Sequence, residues 1–539
     1  MKNRLNILLF LISINLHAQD RPKLVVGIVV DQMKMEYLYR FYNDFSENGF
    51  KKLVNKGYTF HNMHYNYVPT YTAPGHATIF TGATPNIHGI VGNEWFHRTL
   101  NKSVYCTDDA SVKTIGTTAE AELKLPMSPK NLQATTITDE LRLSTNFKGK
   151  VIGISLKDRG AILPAGHFAN WAFWLGKTGD FISSTFYGEK LPDWVTAYNA
   201  NKNYLKYLNT DWNLLKPVGT YNESLADDNP YESKLFGSKT TTFPYNVPDM
   251  LAKNDPSIIR SLPFGNDFLA DFAIKAIENE QLGKDAVTDF LTVSFSSTDY
   301  VGHDMGPRSI ELQDTYLRLD QTLATFLNYL DKNVGKNNYL LFLTADHAGA
   351  ENANFLKDNK YDVTNVAPKE IAKALSKFSV DTYGDDFLLN YSNFNVYLKK
   401  DLISSKALDF NKVKIAFKTF LLSQNQVKFA FTEDEILASN GSNYFLDFVA
   451  KGYDVTQNGD LVIIDKPGFI EYKATGTSHG TAYSYDTHVP LLFYGWKIKK
   501  GASFDRKIIT EIAPTLALKL KITLPNGTES NVLTEVLGN

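Results

Sequence analysis

The sequence predicts an α/β fold with a mostly parallel central sheet flanked by helices, and two observations carry this prediction. Short runs rich in Val, Ile, Leu and Phe end abruptly in polar residues, and helix-like stretches lie between them. Such runs are typical of parallel strands that are buried on both faces. A chain of 539 residues is also long enough for a large core that carries inserted subdomains.

The predicted strands are spread over most of the chain. The five apolar runs are Leu24–Val30, Val151–Ser155, 290–295, 339–343 and 489–494. In open parallel sheets, ligands bind beyond the carboxyl ends of the strands. The polar residues that follow these runs are therefore candidate functional groups.

Helices and insertions complete the expected domain. Residues 268–279 and 309–330 carry apolar residues at intervals of three and four, which predicts helices that pack on the sheet. Two other regions differ in composition from the predicted core. Residues about 165–262 are rich in aromatic and small polar residues, and residues about 355–470 combine charged helical segments with short strands. We expect both regions to be insertions that cap the site.

The first 18 residues have the pattern of a secretory signal. Basic Lys2 and Arg4 precede an apolar stretch, and the small residue Ala18 follows it. This pattern predicts cleavage after Ala18, so that residues 19–539 form the mature α/β domain in the periplasm or outside the cell.

Composition argues against a membrane anchor and against a nucleic-acid polymer as partner. A membrane span needs about 20 apolar residues, and Asn6, Ser13 and Asn15 interrupt the N-terminal stretch. Lys and Arg number 56 against 58 Asp and Glu, a formal net charge of -2, so no excess of basic charge calls for an anionic polymer. The single cysteine, Cys106, cannot form an internal disulfide.

Asp and His side chains follow three of the strand ends and occupy one late glycine-rich loop. One pair is spaced i, i+4 and another pair is adjacent, which places each pair on one side of a turn or strand end. Carboxylates and neutral imidazoles are the ligands expected of catalytic zinc. A single such residue is more often a helix cap, but six at one edge of one sheet predict two metal ions with three ligands each. The six are Asp31, Asp299, His303, Asp346, His347 and His479.

A candidate nucleophile lies in residues 69–76, Pro-Thr-Tyr-Thr-Ala-Pro-Gly-His. Thr72 stands just before Pro74 and Gly75, at what the sequence predicts to be a helix start. The N–H groups and dipole of a helix N-terminus favour an anion, so a hydroxyl there can accept a phosphoryl group. The alternative is that Thr70 or Thr72 is only an N-cap.

These motifs share their order along the chain with a known family. They are Asp31, Thr72-x-Pro-x-His76, Thr81-Gly82, His88-Gly89-Ile90, Asn93, Asp299-x-x-x-His303, Asp346-His347 and Ser478-His479-Gly480. The set resembles the alkaline phosphatase superfamily. It is similar to the branch that contains PafA-type phosphatases and nucleotide pyrophosphatase/phosphodiesterases, which use threonine as nucleophile.

The resemblance implies a function and a role for each residue. It implies a secreted phosphate monoester hydrolase with two Zn²⁺ ions and a phospho-threonine intermediate on Thr72. The ligands it implies are Asp31, Asp346, His347 and the Thr72 oxygen on one ion, and Asp299, His303 and His479 on the other. It implies that Asn93, Lys157 and Arg159 bind the phosphoryl group, and that His76 and His88 orient the nucleophile segment. We interpret His488, which precedes the last predicted strand, as a poorer candidate ligand than His479.

Lys157 and Arg159 favour a monoesterase over a diesterase. PafA-type monoesterases have a Lys and an Arg at this strand end, whereas the diesterase branch has apolar space there. Two zinc ions balance three Asp carboxylates and a Thr72 alkoxide, so a monoester dianion needs two further cations and a diester needs one. The expected substrates are small-molecule phosphate monoesters. A phosphodiesterase of the same fold, and a non-catalytic secreted protein that binds phosphate or metal, remain the alternatives.

Overall fold

The structure is a computed structural model that describes residues 21–538. The predicted signal, residues 1–18, lies outside the described residues. Within the described chain, no helix is both long enough and apolar enough to cross a membrane.

The strands form one large sheet, a smaller sheet and a two-stranded ribbon. In chain order they are β1 Leu24–Val30, β2 Tyr58–His64, β3 Glu94–His97, β4 Lys102–Tyr105, β5 Thr114–Ile115, β6 Val151–Ser155, β7 Trp171–Leu175, β8 Phe181–Ser184, β9 Asp289–Phe295, β10 Tyr339–Thr344, β11 Leu388–Ser392, β12 Asn395–Leu398, β13 Val427–Thr432, β14 Leu461–Asp465, β15 His488–Gly495, β16 Gly501–Ser503 and β17 Lys507–Ile508.

The helices pack on the sheets or connect their strands. They are α1 Glu36–Arg40, α2 Phe50–Lys56, α3 Thr72–Thr81, α4 Pro85–His88, α5 Glu120–Leu123, α6 Ile137–Ser144, α7 Asp158–Ala165, α8 Asp193–Ala200, α9 Leu205–Leu208, α10 Val247–Leu251, α11 Phe264–Glu280, α12 Ser297–Met305, α13 Ile310–Leu330, α14 Ala353–Asp358, α15 Pro368–Tyr383, α16 Lys400–Ser405, α17 Phe410–Leu422, α18 Glu433–Leu437, α19 Tyr444–Lys451, α20 Ser484–Thr487 and α21 Ile512–Leu520. The two helices predicted from periodicity are α11 and α13, and Ser309 caps α13 by accepting a hydrogen bond from the Leu312 N–H.

The centre of the large sheet is parallel and buried, as the sequence predicts. The order of the large sheet is β16-β2-β15-β10-β1-β9-β6-β7-β8-β5, and β17 pairs with β2. Strand β1 pairs in parallel with β10 on one side and with β9 on the other, and β6 continues the parallel set beyond β9. Every residue of β1, β6, β9 and β10 is buried. The carboxyl ends of these four strands therefore meet at one edge of the sheet.

The prediction of a fifth parallel strand at residues 489–494 is wrong in direction. The strand there, β15, runs antiparallel to both β10 and β2. A parallel neighbour needs a crossover connection of about a dozen residues, usually a helix, that returns the chain to the opposite edge. The chain reaches β15 through the loop that contains His479 and the one-turn helix α20. Strand β15 therefore starts at the edge of the sheet where the parallel strands end, and it runs in the opposite direction to them. Burial on both faces gives an antiparallel strand the same continuous apolar pattern.

The two regions expected to be insertions differ in how they join the large sheet. The first, about 165–262, contains β7 and β8, which extend the large sheet beyond β6. The second, about 355–470, contains a separate four-stranded sheet in the order β11-β12-β14-β13. That smaller sheet has a hydrophobic core of its own with α15 and α17. We call residues 355–470 the cap.

Candidate active site

The first set of donors lies at the ends of the two central strands. Asp31 directly follows β1, and Asp346 and His347 follow β10. Their ligand atoms all lie within 4.8 Å of one another. His347 Nε2 is 3.5 Å from Asp31 Oδ1 and 3.6 Å from Asp346 Oδ2, and all three side chains are fully buried.

The chemistry of this first set fits a metal ion. Asp31 Oδ1, Asp346 Oδ2 and His347 Nε2 are buried and have no hydrogen-bond partner. Buried polar atoms are almost always paired, because an unpaired one costs its full desolvation energy. A cation that contacts all three atoms satisfies them together.

The second set combines one helix with the late glycine-rich loop. Asp299 and His303 lie one turn apart on α12, which follows β9, and His479 reaches them from the loop before α20. Asp299 Oδ1 is 3.2 Å from His303 Nε2 and 3.8 Å from His479 Nε2. These donor atoms also lie within 4.8 Å of one another, so the structure brings together all six predicted ligands in two groups of three.

The three ligand histidines are oriented in the same way. In each, Nδ1 lies 2.7 to 2.9 Å from a backbone carbonyl oxygen, and because a carbonyl only accepts, Nδ1 carries the hydrogen. Nε2 of each ring faces the donor group, which is the usual arrangement around a bound metal. The histidines and their carbonyls are His303 with Thr477, His347 with Ala348, and His479 with Thr70.

The two sets adjoin each other. The rings of His347 and His479 stack with their centroids 3.5 Å apart. Burial lowers the pKa of His347 to about 3. Burial, with the neighbouring His347 and His303, holds the pKa of His479 well below its ordinary value. Both imidazoles are therefore neutral, which is the form that binds a metal ion.

Thr72 is the first residue of α3, which is buried along its whole length. Strand β2 carries the chain to the site edge, and the helix starts from there. The N-cap position is Tyr71, with no side-chain cap, and the Thr70 hydroxyl donates to the Thr481 carbonyl oxygen. The N-cap interpretation of Thr70 and Thr72 is therefore wrong.

Helix α3 contacts the first metal set through a glycine. A Cβ added to Gly75 would lie 2.1 Å from the carbonyl oxygen of Asp346. Any side chain at Gly75 would push the helix away from the end of β10. Gly75 thus sets the distance between Thr72 and the first set of donors.

His76 lies on α3, and His88 contacts this helix from the next one. His76 Nδ1 donates to the Thr72 carbonyl oxygen at 2.8 Å, and its Nε2 lies 2.8 Å from Ser294 Oγ at the end of β9. His88 Nε2 lies 3.0 Å from Thr78 Oγ1. His76 therefore acts on the backbone of Thr72 itself, and His88 acts farther along the helix.

Lys157 links the two sets of donors. It precedes α7 at the end of β6, and its Nζ is 2.5 Å from Asp299 Oδ2 and 2.6 Å from Asp31 Oδ2. Burial alone would lower the pKa of Lys157, but the two carboxylates outweigh it and raise that pKa. The ammonium group is therefore charged and lies between the two groups of ligands.

Arg159 and Asn93 lie at the same edge. Arg159 Nη1 donates to the Tyr105 hydroxyl at 3.0 Å, and its Nε is buried without a hydrogen-bond partner. Asn93 Oδ1 accepts from the Ala73 N–H at 2.8 Å, which places this amide beside Thr72. Tyr105 was not predicted as a site residue, because it lies at the end of a short strand and belongs to no recognisable motif.

Comparison with known proteins gives a family for this arrangement. The sequence profile of the type I phosphodiesterase/nucleotide pyrophosphatase family matches residues 25–488, most of the chain. The chain belongs to this family. It is 45% identical over 530 residues to alkaline phosphatase PafA of Elizabethkingia meningoseptica, with 97% of this chain and 96% of the relative covered.

Two further comparisons agree with this family assignment. The chain is 45% identical to alkaline phosphatase PhoV of Synechococcus elongatus, with 96% of this chain and 93% of the relative covered. The crystal structure of wild-type PafA superposes with a TM-score of 0.92 at 44% identity, covering 96% of this chain and 99% of that chain. The predicted fold, a mostly parallel sheet flanked by helices, is thereby confirmed. Relatives of this kind imply metal ions, which agrees with the two donor sets.

Gln32 contacts both donor sets, although it was not predicted from the sequence. Gln32 has a backbone φ of 62° and follows Asp31. Its Nε2 donates to Asp299 Oδ1 at 2.6 Å, and its backbone N–H donates to Asp346 Oδ1 at 3.2 Å. A glutamine after a strand has no distinctive sequence signal, so only the fold identifies it as a residue that positions the ligands.

His488 takes no part in either set. It is the first residue of β15, where its Nε2 donates to the His61 carbonyl oxygen at 2.8 Å. Its ring stacks on His64 with centroids 4.5 Å apart. The preference for His479 over His488 agrees with this geometry.

Replacing Gln32 tests its positioning role. Gln32→Leu removes the hydrogen bond to Asp299 and leaves the ligands themselves unchanged. We expect metal affinity to fall about 10- to 100-fold, as for other residues that orient ligands. Competition with a chelator of known affinity measures the change. Gln321→Leu, an exposed glutamine of α13, is the control, and equal affinities of the two variants would contradict the role.

Replacing Gly75 tests the close approach of α3. Gly75→Ala places a methyl group against the Asp346 carbonyl, and we expect a loss of about 1 to 3 kcal/mol in the free energy of unfolding. Chemical denaturation of the metal-free protein measures it. Gly219→Ala serves as the control because no atom lies within 4 Å of a Cβ added there. Equal stability of the two variants would show that α3 does not pack as described.

Proposed function

We propose that this chain is a secreted phosphate monoester hydrolase of the alkaline phosphatase type, with Thr72 as nucleophile and two zinc ions held by the two donor sets. The observation that carries the proposal is the convergence of six Asp and His donors beside the N-terminus of α3, where Thr72 lies. The names of PafA and PhoV, each 45% identical, support the same activity. Secretion rests on the signal pattern of residues 1–18.

Zinc is the metal that this donor set favours. Three carboxylates and three imidazoles suit Zn²⁺ better than Mg²⁺ or Ca²⁺, which prefer oxygen ligands alone. Bound zinc ions would lower the pKa of a hydroxyl group in contact with them and offset the charge of a phosphoryl group. Asp31, Asp346 and His347 would hold the ion nearest Thr72.

The chain's own residues then carry out two displacements at phosphorus. The Thr72 oxygen attacks in line, a bond forms between Thr72 Oγ1 and phosphorus, and the ester P–O bond breaks to release the alcohol. His76 holds the Thr72 carbonyl, and the positive end of the α3 dipole lies at Thr72, where it favours the developing negative charge. Water then attacks phospho-threonine from the opposite side, which releases inorganic phosphate and regenerates the Thr72 hydroxyl.

Lys157 and Arg159 account for a preference for monoesters. A monoester dianion brings two negative charges into a site that already holds Asp31, Asp299 and Asp346. Lys157 now pairs with Asp31 and Asp299. Bound metal ions would neutralise those carboxylates, and the Lys157 ammonium group would then be free to pair with a phosphoryl oxygen while Arg159 supplies the second charge. A diester offers only one charge and leaves one of the two cations without a partner.

Removing the nucleophile tests the proposal. Thr72→Ala should abolish turnover of an aryl phosphate, because no other hydroxyl begins α3, while metal content and melting temperature stay at the wild-type level. Thr72→Ser keeps the hydroxyl and should retain measurable activity. Wild-type rates in Thr72→Ala would refute the assignment.

Comparing esters separates the monoesterase from its closest rival, a phosphodiesterase on the same fold. Wild-type protein should hydrolyse an aryl phosphate faster than the corresponding methyl aryl diester. Lys157→Ala should lower kcat/KM for the monoester about 100-fold and should affect the diester much less. The exposed Lys190→Ala serves as control. Faster hydrolysis of the diester by the wild type would favour the phosphodiesterase.

A further inference from the structure

A cavity of about 240 Å³ lies beside the second donor set, between that set and the cap. His479 and Tyr71, the residue before the nucleophile, form one side of it. Tyr391 and Phe469 of the cap, with Glu471 directly after the cap, form the other side. His479 is the member of the two donor sets that lines this cavity, and Asn93, Lys157 and Arg159 are not among its lining residues.

The wall next to the site is aromatic. The Tyr71 ring meets the His479 ring edge to face, with centroids 5.5 Å apart. A Cβ added to Gly480 would lie 2.5 Å from Cε1 of Tyr71, so the glycine lets this ring pack against the ligand loop. Across the cavity, the Tyr391 hydroxyl donates to Glu471 Oε1. Tyr71, Tyr391 and Glu471 thus surround one space next to His479.

The cavity carries acidic groups without a cation to match them. Glu471 and Asp486 line it, and no Lys or Arg is among its lining residues. Asp486 is fully buried with Oδ1 unpartnered, and nearby Asp465 is 3% exposed with both carboxylate oxygens unpartnered. Burial, reinforced by Asp465, raises the pKa of Glu471 to about 8, so this carboxyl group becomes fully charged only when a cation lies beside it. Across residues 21–538, neither Lys nor Arg forms an ion pair with any of these three acids.

These acids do not form a further metal-ion site. Within the described residues, the donor atoms that lie close enough together to share an ion form only the two sets already described. The cavity therefore suits an organic cation, which needs aromatic faces and one carboxylate rather than several convergent ligands.

We propose that this cavity binds the alcohol portion of a phosphate monoester that carries an ammonium group, with Glu471 as the partner of that group. The inference rests on the proposed function: the first donor set would hold the ion nearest Thr72, so in-line attack by Thr72 would send the alcohol toward the second donor set, which contains His479. The Tyr71 and Tyr391 rings receive the alkyl groups of the ammonium, and a cavity of this size admits a small alcohol rather than a polymer.

Two esters of the same shape test this inference. Phosphocholine and 3,3-dimethylbutyl phosphate differ by a charged nitrogen in place of a carbon. We expect wild-type kcat/KM to be about tenfold higher for phosphocholine, and Glu471→Gln to bring the ratio of the two values close to one. Using the ratio within each variant cancels effects common to both esters. Glu370→Gln, an exposed glutamate of the cap, should keep the wild-type ratio.

Binding without turnover gives a second readout. Calorimetry with the Thr72→Ala variant should give a lower Kd for phosphocholine than for the neutral ester, and adding Glu471→Gln should raise the phosphocholine Kd about tenfold. Should Glu471→Gln fail to fold, inhibition of the wild type by choline compared with 3,3-dimethylbutanol replaces it, and choline should inhibit more strongly.

The outcomes separate this inference from the proposed function. Hydrolysis of both esters at equal kcat/KM, with no effect of Glu471→Gln, would overturn the cation site and leave the monoesterase intact. Absence of hydrolysis of either ester would overturn the monoesterase, and the binding comparison would then decide on the cation site by itself.

Discussion

Three carboxylates, Asp31, Asp299 and Asp346, are buried together at the carboxyl edge of the parallel strands, and their charge must be offset by cations. The strand order makes this unavoidable, because β1 lies between β9 and β10 and all three strands end at the same edge. In the metal-free protein the Lys157 ammonium group offsets part of the charge by pairing with Asp31 and Asp299. The remaining unpaired oxygens and imidazole nitrogens fit metal ions. The proposed reaction at phosphorus depends on metal ions replacing Lys157 as the partners of these carboxylates.

Much of this site could be predicted from sequence, because each ligand follows a buried apolar run or a glycine-rich loop. The ends of β1 and β6 match their predicted bounds, and the six proposed ligands converge in two groups as expected. The direction of β15 could not be predicted, since burial on both faces produces the same apolar run in either direction. Gln32 was missed for a different reason, because its importance lies in a backbone turn with positive φ and not in a recognisable residue pattern.

The cap contributes a cavity wall next to the edge of the sheet where the two donor sets lie. The proposed ligands and Thr72 would account for chemistry at phosphorus, whatever alcohol is attached. Tyr391 of the cap and Glu471, which directly follows the cap, line a cavity together with Tyr71 and His479. In the proposed cation site, selectivity among monoesters would depend on a subdomain that has a core of its own, and it could differ while the reaction stays the same.

Counting the metal ions tests the central claim most directly. Protein stripped with a chelator and titrated with Zn²⁺ should bind two ions per chain, and His347→Ala and His479→Ala should each weaken one of the two binding events. A wild-type protein that binds no zinc, or a single ion that both variants weaken equally, would contradict the assignment of two separate donor sets beside Thr72.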